Sequence, residues 1–460
     1  MRKLLLQLLL FTVVGSSYGQ NNEKLTTISG KWNRGAAEKI ALYKLADGEL
    51  KEVASSTVDE DSSFYFAYKP QKEDFYFICL NSRQKINRYA FYLKPGDRLD
   101  FTVTKDSYVL NGNNNSPENK EVARWHDFIQ PLEWKSVYFD RVISTYVDFF
   151  PLFEEKLKEL NSYPKSATTN NTFNQAFEKY KKYNLLDIAV HFIHTPRSVH
   201  PTAEDFPDYY RHIDVTALTQ TAEIMKYSPL SVDNIEKIIV NNLIVSKVEI
   251  TNPIEAILEK VPTVASDTIK GELVADLASH IKSYTKLLEY ENIYGKYIIT
   301  KSQKGKIQDL KISLHETKDG NLAIDFKFVD RDGREVALSD FKGKLVYVDV
   351  WATWCGPCIK EIPHLKKLEE EFNGNENIVF LSVSTDASKD HQKWKDYLVS
   401  ADLKGIQLFA GDDARKGIIE PYKITGIPRF ILVGKEGVIV ASDAPRPSSS
   451  EIRKLLEDNL

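Results

Sequence analysis

The chain has 460 residues, a formal net charge of −4 at pH 7 and only three cysteines. This length exceeds what one hydrophobic core usually supports, so more than one domain is expected. The mildly acidic charge and the lack of a long basic run argue against binding to nucleic acid or to an anionic membrane surface.

Residues 1–19 have the pattern of a secretory signal peptide. Two basic residues precede an apolar segment, Leu4 to Val14, and the small residues Ser17 and Gly19 stand before the expected cleavage point. The apolar segment is too short to span a bilayer, and an uncleaved N-terminal anchor is the alternative. We therefore expect export to the periplasm or cell envelope.

Two regions precede the most informative part of the chain. Residues 25–112 have short apolar and aromatic runs between turns such as Asp47-Gly48, which predicts an all-β, sandwich-like domain. Residues 117–305 carry apolar residues at spacings of three and four, which predicts an α-helical middle region. Neither region has a catalytic motif, so we expect them to bind a substrate or partner or to form an oligomer.

Residues 317–460 alternate strand and helix patterns, which predicts an α/β domain with a mixed sheet. The strand-like runs are 345–350, 378–383, 406–410, 430–433 and 438–442. The helix-like runs are 359–372, 391–400, 414–420 and 451–456. The first of these helices carries one apolar stripe: Ile359, Ile362, Leu365, Leu368 and Phe372.

Two of the three cysteines lie in Trp354-Cys355-Gly356-Pro357-Cys358, between the first strand-like run and that helix. Unpaired N–H groups and the helix dipole at a helix N-terminus favour a thiolate, and a thiol one turn later can close a disulfide. The spacing therefore predicts dithiol redox chemistry. A zinc half-site is the alternative, but it needs four ligands, and His364 is the nearest further candidate. We expect no metal and no cofactor besides the Cys355–Cys358 disulfide.

Residues 343–358, with Pro363 and Gly426-Ile427-Pro428, resemble the thioredoxin superfamily. Within it, they are most similar to the exported thiol–disulfide oxidoreductases of the TlpA/ResA type, which are related to the cytochrome c maturation thioredoxins. Residues 332–344 match the same branch, and the β-region resembles a domain that often precedes such modules in envelope proteins. The resemblance implies a thioredoxin fold for residues 317–460.

The resemblance also implies roles for individual residues. Cys355 would be the attacking thiolate and the more exposed thiol, and Cys358 would be the resolving thiol. Asp349, in the middle of an apolar strand, would be the buried acid that exchanges a proton with Cys358, and a strand residue at a wet edge is the alternative. Asp386 is a second candidate for this acid.

The same resemblance implies a binding surface for protein disulfides. Trp354, Gly356 and Pro357 would lie beside the reactive sulfur, and Pro428 would be a cis proline that leaves the backbone of Ile427 free to pair with a substrate. Gly-Pro between the cysteines accompanies reductants in the family. The implied partners are protein disulfide substrates and a membrane thiol-electron donor, and the oligomeric state stays open.

Other functional readings of the sequence have less support. A peroxiredoxin-like peroxidase needs a hydroxyl residue three positions before its reactive cysteine, where this chain has Ala352. A redox-sensing interaction protein with little turnover is a third possibility. Cys79 is expected to be a buried structural residue. The remaining polar cluster is expected to be solvated or capping rather than metal-binding: His191, His194, His200, Glu204, Asp205 and His212.

Overall fold

The computed structural model describes residues 24–82, 88–138, 143–166 and 168–460. The predicted signal peptide, residues 1–19, lies outside the described residues. The described residues divide into two compact units: the first holds those up to Ile213 together with Glu223–Glu249, and the second holds Asp214–Ala222 with Ile250–Leu460. The predicted helical region, 117–305, therefore contributes helices to both units.

The elements are numbered in chain order. The strands are β1 (Thr26–Trp32), β2 (Lys39–Ala46), β3 (Glu49–Thr57), β4 (Ser63–Tyr68), β5 (Asp74–Cys79), β6 (Tyr89–Leu93), β7 (Arg98–Val103), β8 (Tyr108–Leu110), β9 (Lys327–Asp330), β10 (Glu335–Ala337), β11 (Leu345–Trp351), β12 (Ile378–Ser384), β13 (Ile406–Phe409), β14 (Arg429–Val433) and β15 (Ile439–Ala441). The helices are α1 (Pro117–Val137), α2 (Tyr146–Leu160), α3 (Asn171–Ile193), α4 (Asp208–Arg211), α5 (Val215–Leu218), α6 (Ile224–Tyr227), α7 (Ser231–Val245), α8 (Pro253–Lys260), α9 (Asp267–Ala278), α10 (Tyr284–Tyr294), α11 (Lys301–His315), α12 (Gly356–Glu371), α13 (His391–Ser400) and α14 (Glu451–Glu457). Among the described residues, none of these helices combines the length and apolarity that a membrane crossing requires.

The first unit contains two four-stranded sheets within its described residues, in the orders β4-β1-β7-β8 and β3-β2-β5-β6. Their facing side chains form one core, in which Ile28 and Phe101 of the first sheet pack with Tyr76 and Phe91 of the second. Two sheets that share one apolar core form a β-sandwich, so the sandwich-like prediction for this region is confirmed.

The second sheet also has a buried outer face, which explains its continuous aromatic runs. Phe75, Phe77 and Tyr92 belong to a core shared with the helices, and the ring of Phe75 stacks on Tyr180 at 4.6 Å between centroids. A strand that is buried on both faces does not alternate apolar and polar residues. The helices of this unit are thus an integral layer on the sandwich.

The second unit contains a mixed sheet of seven described strands, in the order β10-β9-β13-β12-β11-β14-β15. The central strands β11, β12 and β13 are parallel, whereas β9, β14 and β15 run antiparallel to their neighbours. Leu345 and Tyr347 of β11 pack on one face with Leu365 and Leu368 of α12. The strand–helix alternation predicted for this region is confirmed, and α12 begins directly beyond the end of β11.

One local prediction in this unit differs from the structure. The helix predicted over 414–420 is a 3₁₀ turn at Gly411–Asp413 followed by a π-helical turn at Arg415–Ile419. On α12, Ile359 of the predicted apolar stripe is exposed, because the buried face of this helix carries Cys358 and Glu361 in its first turns.

Buried Arg429 joins the helices of this unit to its sheet. It begins β14 and donates hydrogen bonds from Nε to the carbonyl oxygen of Ser442 at 2.9 Å and from Nη2 to that of Lys282 at 2.8 Å. Its Nη1 lies 3.5 Å from the carboxylate of Asp443, which also accepts from Nζ of Lys286 in α10. The segment that leads into α10 is therefore fixed to the residue that follows Pro428.

We expect Arg429→Met to destabilise the second unit, because two carbonyl oxygens lose a charged donor. Hydrogen bonds to charged groups contribute roughly 1.5–3 kcal/mol each, which gives an expected loss of about 3 kcal/mol in the free energy of unfolding. Urea unfolding followed by hydrogen exchange in peptides from α12 and β14 would measure the loss.

Arg453→Met is the matched control for this prediction. Arg453 makes a two-bonded ion pair with Glu371 on the surface, where water screens the interaction. We expect little change in stability from this control. Equal losses in the free energy of unfolding from Arg429→Met and Arg453→Met would contradict the role of Arg429.

Candidate functional site

Cys355 and Cys358 form a disulfide at the N-terminus of α12. Cys355 is the N-cap residue, with extended backbone angles, and its Sγ accepts a hydrogen bond from the backbone N–H of Cys358 at 3.2 Å. Pro357 occupies the first turn, where its missing N–H leaves no helical hydrogen bond unmade. In the reduced protein, the same N–H groups and the helix dipole would stabilise a Cys355 thiolate.

The two cysteines do not differ in exposure in this disulfide form. Each is 4% exposed, although the sequence analysis expected Cys355 to be the more exposed of the two. Both pack into a cluster with Trp351 of β11 and Trp394 of α13, which buries the disulfide. The exposed residues of the Trp354-to-Pro357 turn form the outer side of this site.

That outer side is formed by the residues predicted to bind substrate. Trp354 is 64% exposed, and Gly356 and Pro357 are exposed as well. Ile427 is half-buried and packs against the cluster that contains both cysteines, and the Ile427–Pro428 peptide bond is cis, as predicted. The structure thus brings residues from two distant segments together beside the disulfide.

Asp349 lies in β11, two residues before Trp351, which packs with both cysteines. It points to the same face of β11 as Tyr347, under α12, and its strand neighbours at this level are Ser382 on β12 and Phe430 on β14. The pKa of Asp349 is raised to about 8, chiefly by burial and to a smaller extent by the negative charges of Glu369 and then Glu361. The alternative of a wet sheet edge is wrong for Asp349, because β11 is a central strand and the residue is 7% exposed.

Glu361 is an acidic residue of the site that the sequence analysis missed. It is buried on α12 three residues after Cys358, and it accepts hydrogen bonds from the backbone N–H of Ser448 at 3.0 Å and from its hydroxyl at 2.9 Å. Its place in the sequence could have identified Glu361 as buried, because it shares a helical face with Leu365 and Leu368. An acidic residue on the buried face of a helix needs a partner or a function.

Asp386, the second candidate for the buried acid, lies just after β12. It is fully buried and accepts hydrogen bonds from the backbone N–H of Thr353 at 3.0 Å, from the Thr353 hydroxyl at 2.7 Å and from the Ser384 hydroxyl at 2.7 Å. These bonds fix the turn that leads into Trp354 and Cys355. Asp386 therefore positions the approach to the disulfide.

The remaining candidates lie elsewhere. Within the described ranges, no group of three or more histidine, cysteine or acidic side chains is arranged to hold a metal ion, and this includes the region of His191 and His194. Cys79 is buried in the first unit, and burial raises the pKa of its thiol to about 11. A buried thiol with a raised pKa is a poor nucleophile.

The C-terminal region of the chain is similar to several known proteins. Residues 320–442 match the model of the AhpC/TSA family. The thiol-disulfide oxidoreductase ResA of Bacillus thuringiensis is 28% identical over 30% of this chain and 76% of its own length. The thioredoxin-like protein YneN of Bacillus subtilis is 31% identical over 26% of this chain and 69% of its own. The solved thioredoxin domain of a thiol-disulfide oxidoreductase from Bacteroides vulgatus is 34% identical, covers 30% of this chain and 96% of its own, and has a TM-score of 0.28.

The raised pKa of Asp349 predicts a pH-dependent stability. A carboxyl with a pKa near 4 in the unfolded chain and about 8 in the folded protein binds a proton only in the folded state between these values. Stability therefore falls as the pH rises through this window, by roughly 1.4 kcal/mol per pH unit from this one group. The side chain in Asp349→Asn cannot titrate. The free energy of unfolding of this variant, relative to that of the parent, should therefore increase from pH 5 to pH 8.

Denaturant unfolding of the disulfide form, in which neither Cys355 nor Cys358 titrates, would measure this difference. Exposed Asp332 provides the control, because Asp332→Asn should keep the pH dependence of the parent. A constant difference between Asp349→Asn and the parent across the window would contradict the raised pKa.

Proposed function

The chain belongs, through its C-terminal unit, to the TlpA/ResA-like thiol–disulfide oxidoreductases of the thioredoxin superfamily, and we propose that it is exported and reduces disulfides of cell-envelope proteins. It is an oxidoreductase, and the Cys355–Cys358 pair is the proposed redox centre. The observation that carries the proposal is the position of this pair, at a helix N-terminus with an exposed surface on one side and a buried acid on the other.

In the proposed reaction, the Cys355 thiolate attacks one sulfur of a substrate disulfide. A mixed disulfide forms, and the other substrate sulfur leaves as a thiolate that takes a proton from water. The Asp349 carboxylate then accepts the proton of the Cys358 thiol. The resulting Cys358 thiolate attacks the sulfur of Cys355, which closes the enzyme disulfide and releases the second substrate thiolate. The second substrate thiolate also takes a proton from water. The substrate thus gains two electrons and two protons, whereas the enzyme loses two electrons and the single proton of Cys358, which Asp349 returns to solvent, and solvent supplies the other proton.

The proposed binding surface consists of Trp354, Gly356, Pro357, Ile427 and Pro428. Trp354 offers a large exposed ring beside the reactive sulfur, and such aromatic groups contribute strongly to protein contacts. The backbone of Ile427 is proposed to pair with an extended segment of the substrate, as in strand addition. The partners are thus protein disulfides rather than small molecules.

The proposed direction of electron flow is outward, from a membrane thiol-electron donor through Cys355 and Cys358 to the substrate. Gly-Pro between the cysteines supports a reductant, because this pair accompanies reductants in the family. The signal-peptide pattern of residues 1–19 supports location in the periplasm or cell envelope. No cofactor besides the disulfide is included in the proposal.

A peroxidase of the peroxiredoxin type has less support from the site. The residue three positions before Cys355 is Ala352, which has no hydroxyl. The nearest hydroxyl in that turn, on Thr353, donates to Asp386 at 2.7 Å. A peroxide bound at Cys355 would therefore lack the hydroxyl donor that such enzymes need.

The proposed order of attack predicts different behaviour for the two cysteine variants. Cys358→Ser should accumulate a mixed disulfide between Cys355 and a disulfide-containing protein such as insulin, because the resolving thiol is missing. Cys355→Ser should form no such adduct through the site. Mass spectrometry of non-reduced adducts, together with the rate of insulin reduction, would measure both results.

Cys79→Ala is the control, since Cys79 is buried in the other unit and should leave insulin reduction unchanged. Retention of insulin reduction in Cys355→Ser would contradict the proposed role of this residue. So would trapping at Cys358 in place of Cys355.

A further inference from the structure

Four cationic side chains from three segments of the second unit lie together beside β14 and β15: Lys282, Lys286, Arg429 and Arg446. The buried guanidinium of Arg429 donates to the carbonyl oxygen of Lys282 at 2.8 Å. Asp443 lies 3.5 Å from Nη1 of Arg429 and accepts from Nζ of Lys286 at 3.2 Å. Arg446 follows Asp443 by three residues, in the loop between β15 and α14. We refer to the four cationic residues as the basic patch.

The basic patch reaches the end of the sheet at which the disulfide lies. Arg429 directly follows the cis Pro428 and pairs with Val350 of β11. β11 ends one residue later, at Trp351, which packs with both cysteines. The patch therefore borders the proposed binding surface at Pro428.

Arg446 extends the patch to the first turns of α12. Its guanidinium lies 3.9 Å from a carboxylate oxygen of Glu361, which follows Cys358 by three residues. Three residues of an α-helix span roughly 4.5 Å along its axis. Glu361 accepts its hydrogen bonds from Ser448, so it does not form a close ion pair with Arg446. The Arg446 side chain is 56% exposed, and it is therefore accessible to a group bound beside the disulfide.

The other carboxylates beside the patch have several donors each. Asp443 is shared by two of the four cations. Asp319 accepts from the hydroxyl of Thr285 at 2.6 Å and from the backbone N–H of Ser442 at 3.2 Å. A carboxylate that is shared or is bound to neutral donors leaves part of the neighbouring positive charge uncompensated. The basic patch thus keeps a capacity to bind further anionic groups.

Lys282 is the member of the patch whose charge is least compensated. Its side chain is half-buried, and its ammonium makes no hydrogen bond or ion pair with the residues that the structure describes. The pKa of Lys282 is lowered, chiefly by burial and to a smaller extent by the other three cations, and Asp443 partly opposes this. An ammonium among like charges is unfavourable, and a carboxylate from a bound partner would supply the missing ion pair.

We propose that the basic patch binds acidic side chains of the substrate protein, next to the disulfide that is reduced. This inference rests on the proposed reductase function, and it names the substrate class, protein disulfides with Asp or Glu beside their cysteines. While the substrate backbone pairs with Ile427, these carboxylates form ion pairs with Lys282 and Arg446. Opposite charges on the two surfaces also raise the rate of encounter and select among partners.

Two disulfide peptides of equal length test this substrate class, one with Glu and one with Gln on both sides of its cysteines. Each is mixed with the reduced full-length protein after removal of excess reductant, and single-turnover kinetics give a half-saturating concentration and a limiting rate. We expect the half-saturating concentration to be about three- to tenfold lower for the Glu peptide at low salt, since an exposed ion pair contributes up to about fivefold. The limiting rates should be similar, and high salt should reduce the preference.

The double variant Lys282→Gln with Arg446→Gln separates docking from support of the fold. The substitution at Lys282 keeps its backbone carbonyl, so the hydrogen bond from Arg429 is retained. The measured quantity is the ratio of the half-saturating concentrations for the two peptides, and we expect it to fall to about one in this variant. A damaged fold would impair the reduction of both peptides and leave the ratio unchanged. Lys282→Arg with Arg446→Lys keeps both charges and should keep the preference for the Glu peptide.

Lys367→Gln is the matched control, because Lys367 is an exposed lysine near the end of α12 that lies away from the disulfide. We expect this control to show the parent's ratio. Equal half-saturating concentrations of the two peptides in the parent, or a preference that persists in the double variant, would overturn the proposal. A parent protein that reduces neither peptide would instead overturn the proposed function, so the two failures are distinguishable.

Discussion

The C-terminal unit depends on one constraint, that a carboxyl group is kept inside a closely packed sheet. An ionised Asp349 is unfavourable there, and burial accordingly raises its pKa to about 8. α12 covers this residue and begins at the cysteine pair, and the neighbour of Asp349 on β12 is the buried Ser382. A buried group that changes charge near neutral pH is a candidate for the proposed proton transfer.

The parts of the site that depend on local sequence could be predicted. A C-x-x-C pair between an apolar strand and an apolar-periodic helix placed Cys355 at a helix N-terminus, and an acid within an apolar strand marked Asp349. The cis bond before Pro428 followed from the resemblance alone. Glu361 was missed, because its position depends on the face of α12 that meets the sheet. Asp386 was named a second candidate for the acid from the resemblance, and its hydrogen bonds to Thr353 could not be predicted because they join distant segments.

The helical region was predicted as one block between two domains, and the packing divides it. Its first helices form a layer on the β-sandwich, where Phe75 meets Tyr180, and its last helices pack within the second unit. Arg429, which directly follows Pro428, joins these last helices to the sheet, because its guanidinium donates a hydrogen bond to the carbonyl oxygen of Lys282. Apolar spacing identifies a helix but not the surface that the helix will cover, so this division could not be read from periodicity.

The reduction potential of the Cys355–Cys358 pair, measured by equilibration with glutathione and dithiothreitol, tests whether the protein acts as a reductant. We expect a value near that of thioredoxin, about −270 mV, because the pair is proposed to deliver electrons to protein disulfides. A value above about −180 mV, in the range of isomerases and oxidants, would contradict it and would indicate that the protein forms or rearranges disulfides.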